Sequence, residues 1–189
     1  MAQPILRTER LTLHPLAEEH LDLEVELDAD PEVMRYLTGR ARTRSEVEAV
    51  HRRRLTDAQD TPGLGFWVGF DADDQFVGWW LLRPPNGPDQ PPVEGEAELG
   101  YRLRRAFWRQ GFASEASRTL IDYGFETVGL TRIMAQTMAV NEGSRATMKA
   151  VGMTFVRSFV SAEEYDVVLP GAEHGEVEYE ITREAWSKP

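Results

Sequence analysis

The stretch Glu98-Leu99-Gly100-Tyr101-Arg102, continued by Trp108-Arg109-Gln110-Gly111-Phe112-Ala113-Ser114-Glu115-Ala116, decides the fold. Residues 96–103 alternate in the manner of a strand, and residues 113–128, followed by Gly129, read as a helix closed by a glycine. A basic turn containing Gly111 joins the two. The first amides of a helix have no intrahelical acceptor, so those of Gln110, Gly111, Phe112, Ala113 and Ser114 point outward as donors. The helix dipole adds positive potential there, and Gly111 lets a phosphate approach the backbone, which makes this turn an anion site. One glycine at a strand-to-helix turn also has a plainer explanation, close packing, and this stretch alone does not choose between them.

Working outward toward the amino terminus, residues 10–16 alternate as an opening strand and residues 17–27 form an acidic amphipathic helix. Asp30-Pro31 offers an N-cap and a first helical position for a short helix through Leu37, with Gly39 beyond it. Thr43 and Glu46 have capping-box spacing for a further helix to about Gln59. Residues 64–70 and 75–82 are aromatic and β-branched runs around Asp71-Ala72-Asp73-Asp74, the pattern of an antiparallel hairpin. Five of the eleven prolines fall in residues 83–94, a stiff loop.

Toward the carboxyl terminus, residues 131–139 read as a strand and residues 141–151 as a helix closed by Gly152. Residues 155–160 and 177–182 complete a sheet of about seven strands. The expectation is a mixed α/β fold, mostly antiparallel and flanked by helices, with residues 1–189 forming a single domain.

The composition, 41% hydrophobic and 28% charged, is that of an ordinary globular chain. No apolar run approaches the roughly 20 residues of a membrane span, and no basic segment followed by an apolar one opens the chain, so the expected location is cytoplasmic. The absence of cysteine removes disulfides, thiolate nucleophiles and Cys-ligated metal, and the four histidines have no metal-ligand spacing, so no metal is expected. A formal charge of −11 disfavours nucleic-acid binding.

At residues 108–116 the chain resembles the GNAT N-acetyltransferases. Trp108, Gly111 and Ala113 stand at the three fixed places of that superfamily's acyl-CoA signature; Trp108 departs from the Gln or Arg of the general signature but agrees with its Rim-type branch, whose usual first glycine is replaced here by Arg109. Thr8-Glu9-Arg10-Leu11-Thr12-Leu13 is similar to the branch's opening strand, and residues 30–37 to its second helix. Asn141-Glu142-Gly143-Ser144 and Met148-Lys149-Ala150-Val151-Gly152-Met153 resemble its Asn-x-x-Ser helix and the turn after it, with Met153 in place of Phe.

The resemblance implies a sheet splayed at its central strands and acetyl transfer from acetyl-CoA to a primary amine by direct attack in a ternary complex. Acceptors in this reading are a protein N-terminus, an aminoglycoside-type antibiotic or a polyamine; a noncatalytic acyl-CoA sensor and a homodimer also fit. Acetyl-CoA would contact Leu99, Gly100, Tyr101, Arg109, Gln110, Gly111, Phe112, Ala113, Ser114, Asn141 and Ser144. An ammonium acceptor must lose a proton to react, and Glu98 and Glu96, two apart on one strand face, are the carboxylates available for it, with a water chain as the alternative. Glu98 corresponds to the branch's strand acid. The later helix has no Tyr to serve the departing thiolate, and the resemblance places Ser144 near the sulfur and Asn141 against the pantetheine. Asn141 is equally an N-cap, and Ser144 a first-turn polar residue. Arg109, Arg145 and Lys149 are candidates to meet the phosphates or else ordinary exposed cations, and Trp67, Trp79 and Trp80 divide between core packing and an acceptor cleft.

Overall fold

In the computed structural model, which describes residues 2–86, 90–160 and 169–187, eight strands form one sheet. In chain order they are β1 (Leu6–Arg7), β2 (Thr12–Pro15), β3 (Gly65–Phe70), β4 (Phe76–Arg83), β5 (Glu96–Leu103), β6 (Arg132–Met138), β7 (Thr154–Phe159) and β8 (Glu176–Thr182). The helices are α1 (Leu21–Asp28), α2 (Arg44–Asp60), α3 (Phe112–Tyr123), α4 (Glu142–Ala150) and α5 (Arg183–Trp186). The spatial order is β1-β2-β3-β4-β5-β6-β8-β7. The two-residue β1, too short to show a period, is the strand beyond the seven expected.

Every neighbouring pair is antiparallel except β5 with β6, and that exception makes the site. Parallel neighbours need a long crossover, here α3. The β5–β6 ladder holds only Glu96↔Arg132, Ala97↔Ile133 and Glu98↔Met134. Beyond Glu98, β5 stays registered with β4 as far as Gly78↔Leu103, while β6 continues its ladder with β8 to Met138↔Glu176. Each strand follows its outer neighbour, so the sheet opens between them.

Strands β3 and β4 are buried on both faces, which explains their near-continuous apolar runs. Trp67, Trp80 and Leu82 pack with Ala116, Leu120 and Ile121 of α3, whereas Phe66, Val68, Trp79 and Leu81 pack with Leu27 of α1. Trp67 and Trp80 are fully buried and Trp79 nearly so. An indole buries roughly 150–250 Å², which at ~25 cal/mol/Å² is about 4–6 kcal/mol of transfer free energy. These tryptophans are therefore core, and none lines a cleft.

Beneath α1 and α2 the second face carries charge. Glu24 accepts from His51 Nδ1 at 2.6 Å and from Arg54, and Asp28 accepts from Arg102 and from Arg42 at 3.2 Å. Arg54 and Arg102 both stack on Trp79, at 4.6 and 4.9 Å from the ring centre. Complete burial lowers the Arg102 pKa to about 10 despite the opposing pull of Asp28.

The capping box starts α2 as expected: Thr43 accepts from the Glu46 amide, and Glu46 Oε2 accepts from the Thr43 amide at 2.7 Å. Residues 31–37 are turns instead of a helix. There the amides of Leu37, Thr38 and Gly39 all converge on the Met34 carbonyl, so no successive i→i−4 ladder propagates. The helix expected at 17–27 is a 3-10 turn, Glu18–His20, followed by α1, and the one expected to reach Val128 ends at Tyr123 in a π turn, Gly124–Val128. Residues 87–89 of the proline-rich loop lie outside the described residues.

Candidate active site

The turn between β5 and α3 is built to hold its amides outward. Trp108 Nε1 donates to the Leu103 carbonyl at 2.8 Å and Gln110 Nε2 to the Ala106 carbonyl at 2.7 Å, which folds the segment back on itself. Arg109 and Gly111 then take positive φ, 59° and 84°, the second a conformation that glycine alone adopts without strain. Among the described residues, the amides of residues 109–114 have no protein acceptor. The first helical bond of α3 runs from the Glu115 amide to the Gly111 carbonyl at 2.9 Å. Amides without a protein acceptor at a helix start are donors that an anion such as a diphosphate can use.

A clamp from the amino-terminal segment fixes this turn. Glu115 accepts from the Thr8 hydroxyl at 2.5 Å, the Arg10 amide at 2.8 Å and Arg10 Nε at 2.7 Å, while Arg10 Nη1 donates to the Gln110 carbonyl at 3.0 Å. The Arg10 guanidinium lies 4.2 Å from the centre of the Phe112 ring. Partial burial works against the Glu115 anion, but these donors prevail and its pKa is lowered. Nothing in the local pattern assigned Arg10 or Glu115 a partner, because 105 residues separate them; an acid in a helical first turn was the available signal.

At the apex of the opening stands Glu98. Arg83 Nε and Nη2 both donate to its Oε2, at 3.1 and 2.9 Å. Its Oε1 has no donor among the described residues, and the side chain keeps 20% of its exposure. Glu96 is placed differently. Arg132 binds it at 2.8 Å and also binds Glu178 and Glu180, at 2.8 and 2.6 Å, and the buried Glu178 further accepts from Gln136 and Arg157. Glu96 thus belongs to a cross-strand ion cluster, while Glu98 keeps one oxygen without a donor among the described residues.

The opposite wall is the start of α4. Asn141 caps that helix through Oδ1, which accepts from the Ser144 amide at 3.2 Å, and its Nδ2 donates to Thr137 at 3.1 Å. Ser144 is met across the opening by Tyr101, whose hydroxyl lies 3.0 Å from the Ser144 carbonyl and 3.1 Å from Ser144 Oγ. Burial raises the Tyr101 pKa to about 12. Arg145 Nη1 donates to the Ala139 carbonyl at 2.8 Å. Leu99 and Gly100, paired with Leu82 and Leu81, leave their other edge without a strand partner.

Two half-open pockets are found elsewhere on the surface. One of about 410 Å³ lies between α1 and the turn after β5, lined by Glu26, Asp30, Arg104 and Arg105. A second, of about 190 Å³, flanks Arg83 on the α2 side with Asp57 and Asp60. Neither is lined by Glu98 or Ser144. Among the described residues no group of three or more His, Asp or Glu could hold a metal ion, and no helix is long and apolar enough to cross a membrane.

Residues 10–154 match the family model described as an acetyltransferase (GNAT) domain. The chain is 44% identical over 188 residues to the FsC-acetyl coenzyme A-N(2)-transacetylase of Aspergillus fumigatus, covering 98% of this chain and 79% of that protein. The structure is similar to a RimL ribosomal L7/L12 alpha-N-protein acetyltransferase in complex with coenzyme A, with TM-score 0.77 and 16% identity over 96% of this chain and 99% of that one. It is also similar to the spermidine N-acetyltransferase of Vibrio cholerae in complex with CoA and spermine, with TM-score 0.75 and 19% identity over 94% and 98% of the two chains.

Proposed function

The chain belongs to the GNAT family of acetyltransferases and is an acetyl-CoA-dependent N-acetyltransferase; from that premise we propose that Glu98 and Ser144 carry the transfer and that the acceptor is the N(2) amine of FsC or of a compound closely similar to it. The observation that carries the site reading is the departure of β5 from β6 at Glu98, with six unpaired amides at the far end of the opened strand. Acetyl-CoA fits that arrangement. Its diphosphate takes the amides of Arg109, Gln110, Gly111, Phe112, Ala113 and Ser114, and its pantetheine follows the free edge of Leu99, Gly100 and Tyr101 with Asn141 and Ser144 opposite. The thioester then ends beside Glu98.

The chemistry follows from charge. An aliphatic amine has a pKa near 8 to 10 and is largely protonated at neutral pH. Glu98 Oε1 accepts that proton, directly or through one water, while Arg83 holds the other oxygen. The neutral nitrogen forms its bond to the acetyl carbonyl carbon, the carbon–sulfur bond breaks, and the proton the nitrogen sheds on becoming an amide passes by way of water to the departing sulfur, whose developing negative charge accepts a hydrogen bond from the Ser144 hydroxyl. No covalent acyl-enzyme is needed, and the sequence has no cysteine to form one.

The acceptor is assigned from relatedness. Identity of 44% across nearly the whole chain favours the substrate of the FsC transacetylase over a ribosomal-protein N-terminus, since the RimL structure at 16% shares the fold alone. Measuring kcat/KM with FsC and with an N-terminal peptide, product masses verified, tests this. At least a tenfold preference for FsC is expected; a preference for the peptide overturns the assignment.

A further inference from the structure

The Tyr101 hydroxyl joins the two walls of the opening, and the proposed chemistry leaves it without a task. It belongs to the part of β5 beyond the last β6 pair, and it reaches α4, 43 residues later in the chain, at Ser144. Its single proton has two acceptors within range, the Ser144 carbonyl at 3.0 Å and Ser144 Oγ at 3.1 Å. When that proton lies on Oγ, the serine cannot point its own proton back at the tyrosine and must turn it elsewhere. With the phenol pKa raised to about 12 by burial, Tyr101 keeps this proton throughout the neutral range. A thiolate, whose conjugate acid has a pKa near 8.5, is too weak a base to remove it.

We infer that Tyr101 is a positioning residue for departure of the thiol: its O–H donates to Ser144 Oγ and so turns the serine proton toward the sulfur of coenzyme A. The inference rests on the assignment of Ser144 to the leaving group. No net proton leaves Tyr101. Electron density passes to sulfur as the carbon–sulfur bond breaks, Ser144 donates to the thiolate, and the tyrosine–serine bond strengthens with it.

A double-mutant cycle on the full chain separates the outcomes, with kcat at saturating substrates, acetyl-CoA Kd and thermal midpoint measured for Tyr101→Phe, Ser144→Ala and the pair. Tyr101→Phe should lower kcat roughly 10-fold to 100-fold, the contribution of one hydrogen bond in a charge-assisted chain, with Kd changed less than about threefold. The double variant should be no slower than Ser144→Ala. Tyr101→His, which keeps an aromatic ring and an N–H donor, is the second variant and should retain part of the rate that Tyr101→Phe loses. Unchanged kcat in Tyr101→Phe, losses that multiply in the pair, or a loss confined to Kd and thermal midpoint overturns the inference. Full kcat in Ser144→Ala with a slow Tyr101→Phe overturns both this inference and the assignment of Ser144; full kcat in both single variants does the same.

Discussion

Replacing Gly111 with a charged residue tests the diphosphate site with a sign as well as a size. Any side chain at its φ of 84° is strained, by roughly 1–2 kcal/mol for a residue held in the left-handed region. A Cβ there would lie 3.3 Å from Arg10 Nη2, tight but beside a flexible side chain. Strain and crowding are common to Gly111→Glu and Gly111→Lys and should lower the stability of both alike. Charge is not common to them. A carboxylate about 6 Å from one phosphate charge, at an effective dielectric near 20, costs about 3 kcal/mol, which is on the order of 100-fold in Kd. Isothermal titration with coenzyme A should therefore show Gly111→Glu binding at least about 100-fold more weakly than Gly111→Lys, and the gap should narrow as salt is raised. Two folded variants with the same Kd at low salt would refute the placement of the diphosphate.

Glu98→Gln should lower kcat by on the order of 10² to 10⁴ with acetyl-CoA affinity intact, and part of the loss should return as pH rises and more of the amine is neutral. Glu96→Gln should instead act on stability, because Glu96 is one of three carboxylates around Arg132; a large kcat defect confined to Glu96→Gln would transfer the base to it. Asp28→Asn removes the anion that faces buried Arg102 and should cost about 3–5 kcal/mol by denaturant titration, with a cost below about 1 kcal/mol showing that Arg42 and water accommodate the change. Glu115→Gln should raise the Kd for coenzyme A several-fold by loosening Thr8 and Arg10 from the turn, and an unchanged Kd would make the clamp a matter of stability alone.

Local rules made most of the fold legible. The Thr43 and Glu46 pair marked the start of α2 because capping is a four-residue event, and Gly129 and Gly152 marked helix ends because both adopt the left-handed conformation that closes a helix. The strand, turn and helix that lead from β5 to β6 were legible one by one, while the parallel pairing of the two strands came only with the structure. What escaped was set by distant partners. Residues 31–37 have a helix-start sequence, yet three amides share the Met34 carbonyl. Glu96 and Glu98 are equivalent in a strand pattern, and only the registers of β4, β6 and β8 bring Arg83 to one and Arg132 to the other. Asn141 reads as a cap in both sequence and structure, while the Tyr101–Ser144 and Arg10–Glu115 pairs span 43 and 105 residues and have no signal in a local window.

Direct transfer at the opening between β5 and β6 predicts a definite kinetic form. Initial rates of thiol release, with acetyl-CoA and FsC varied together and the product identified by mass, should give intersecting double-reciprocal lines and an amine bearing one added acetyl group. Parallel lines with acetylated protein recovered from acetyl-CoA alone, or thiol release that no amine accelerates, would contradict a ternary complex in which the acceptor nitrogen attacks beside Glu98.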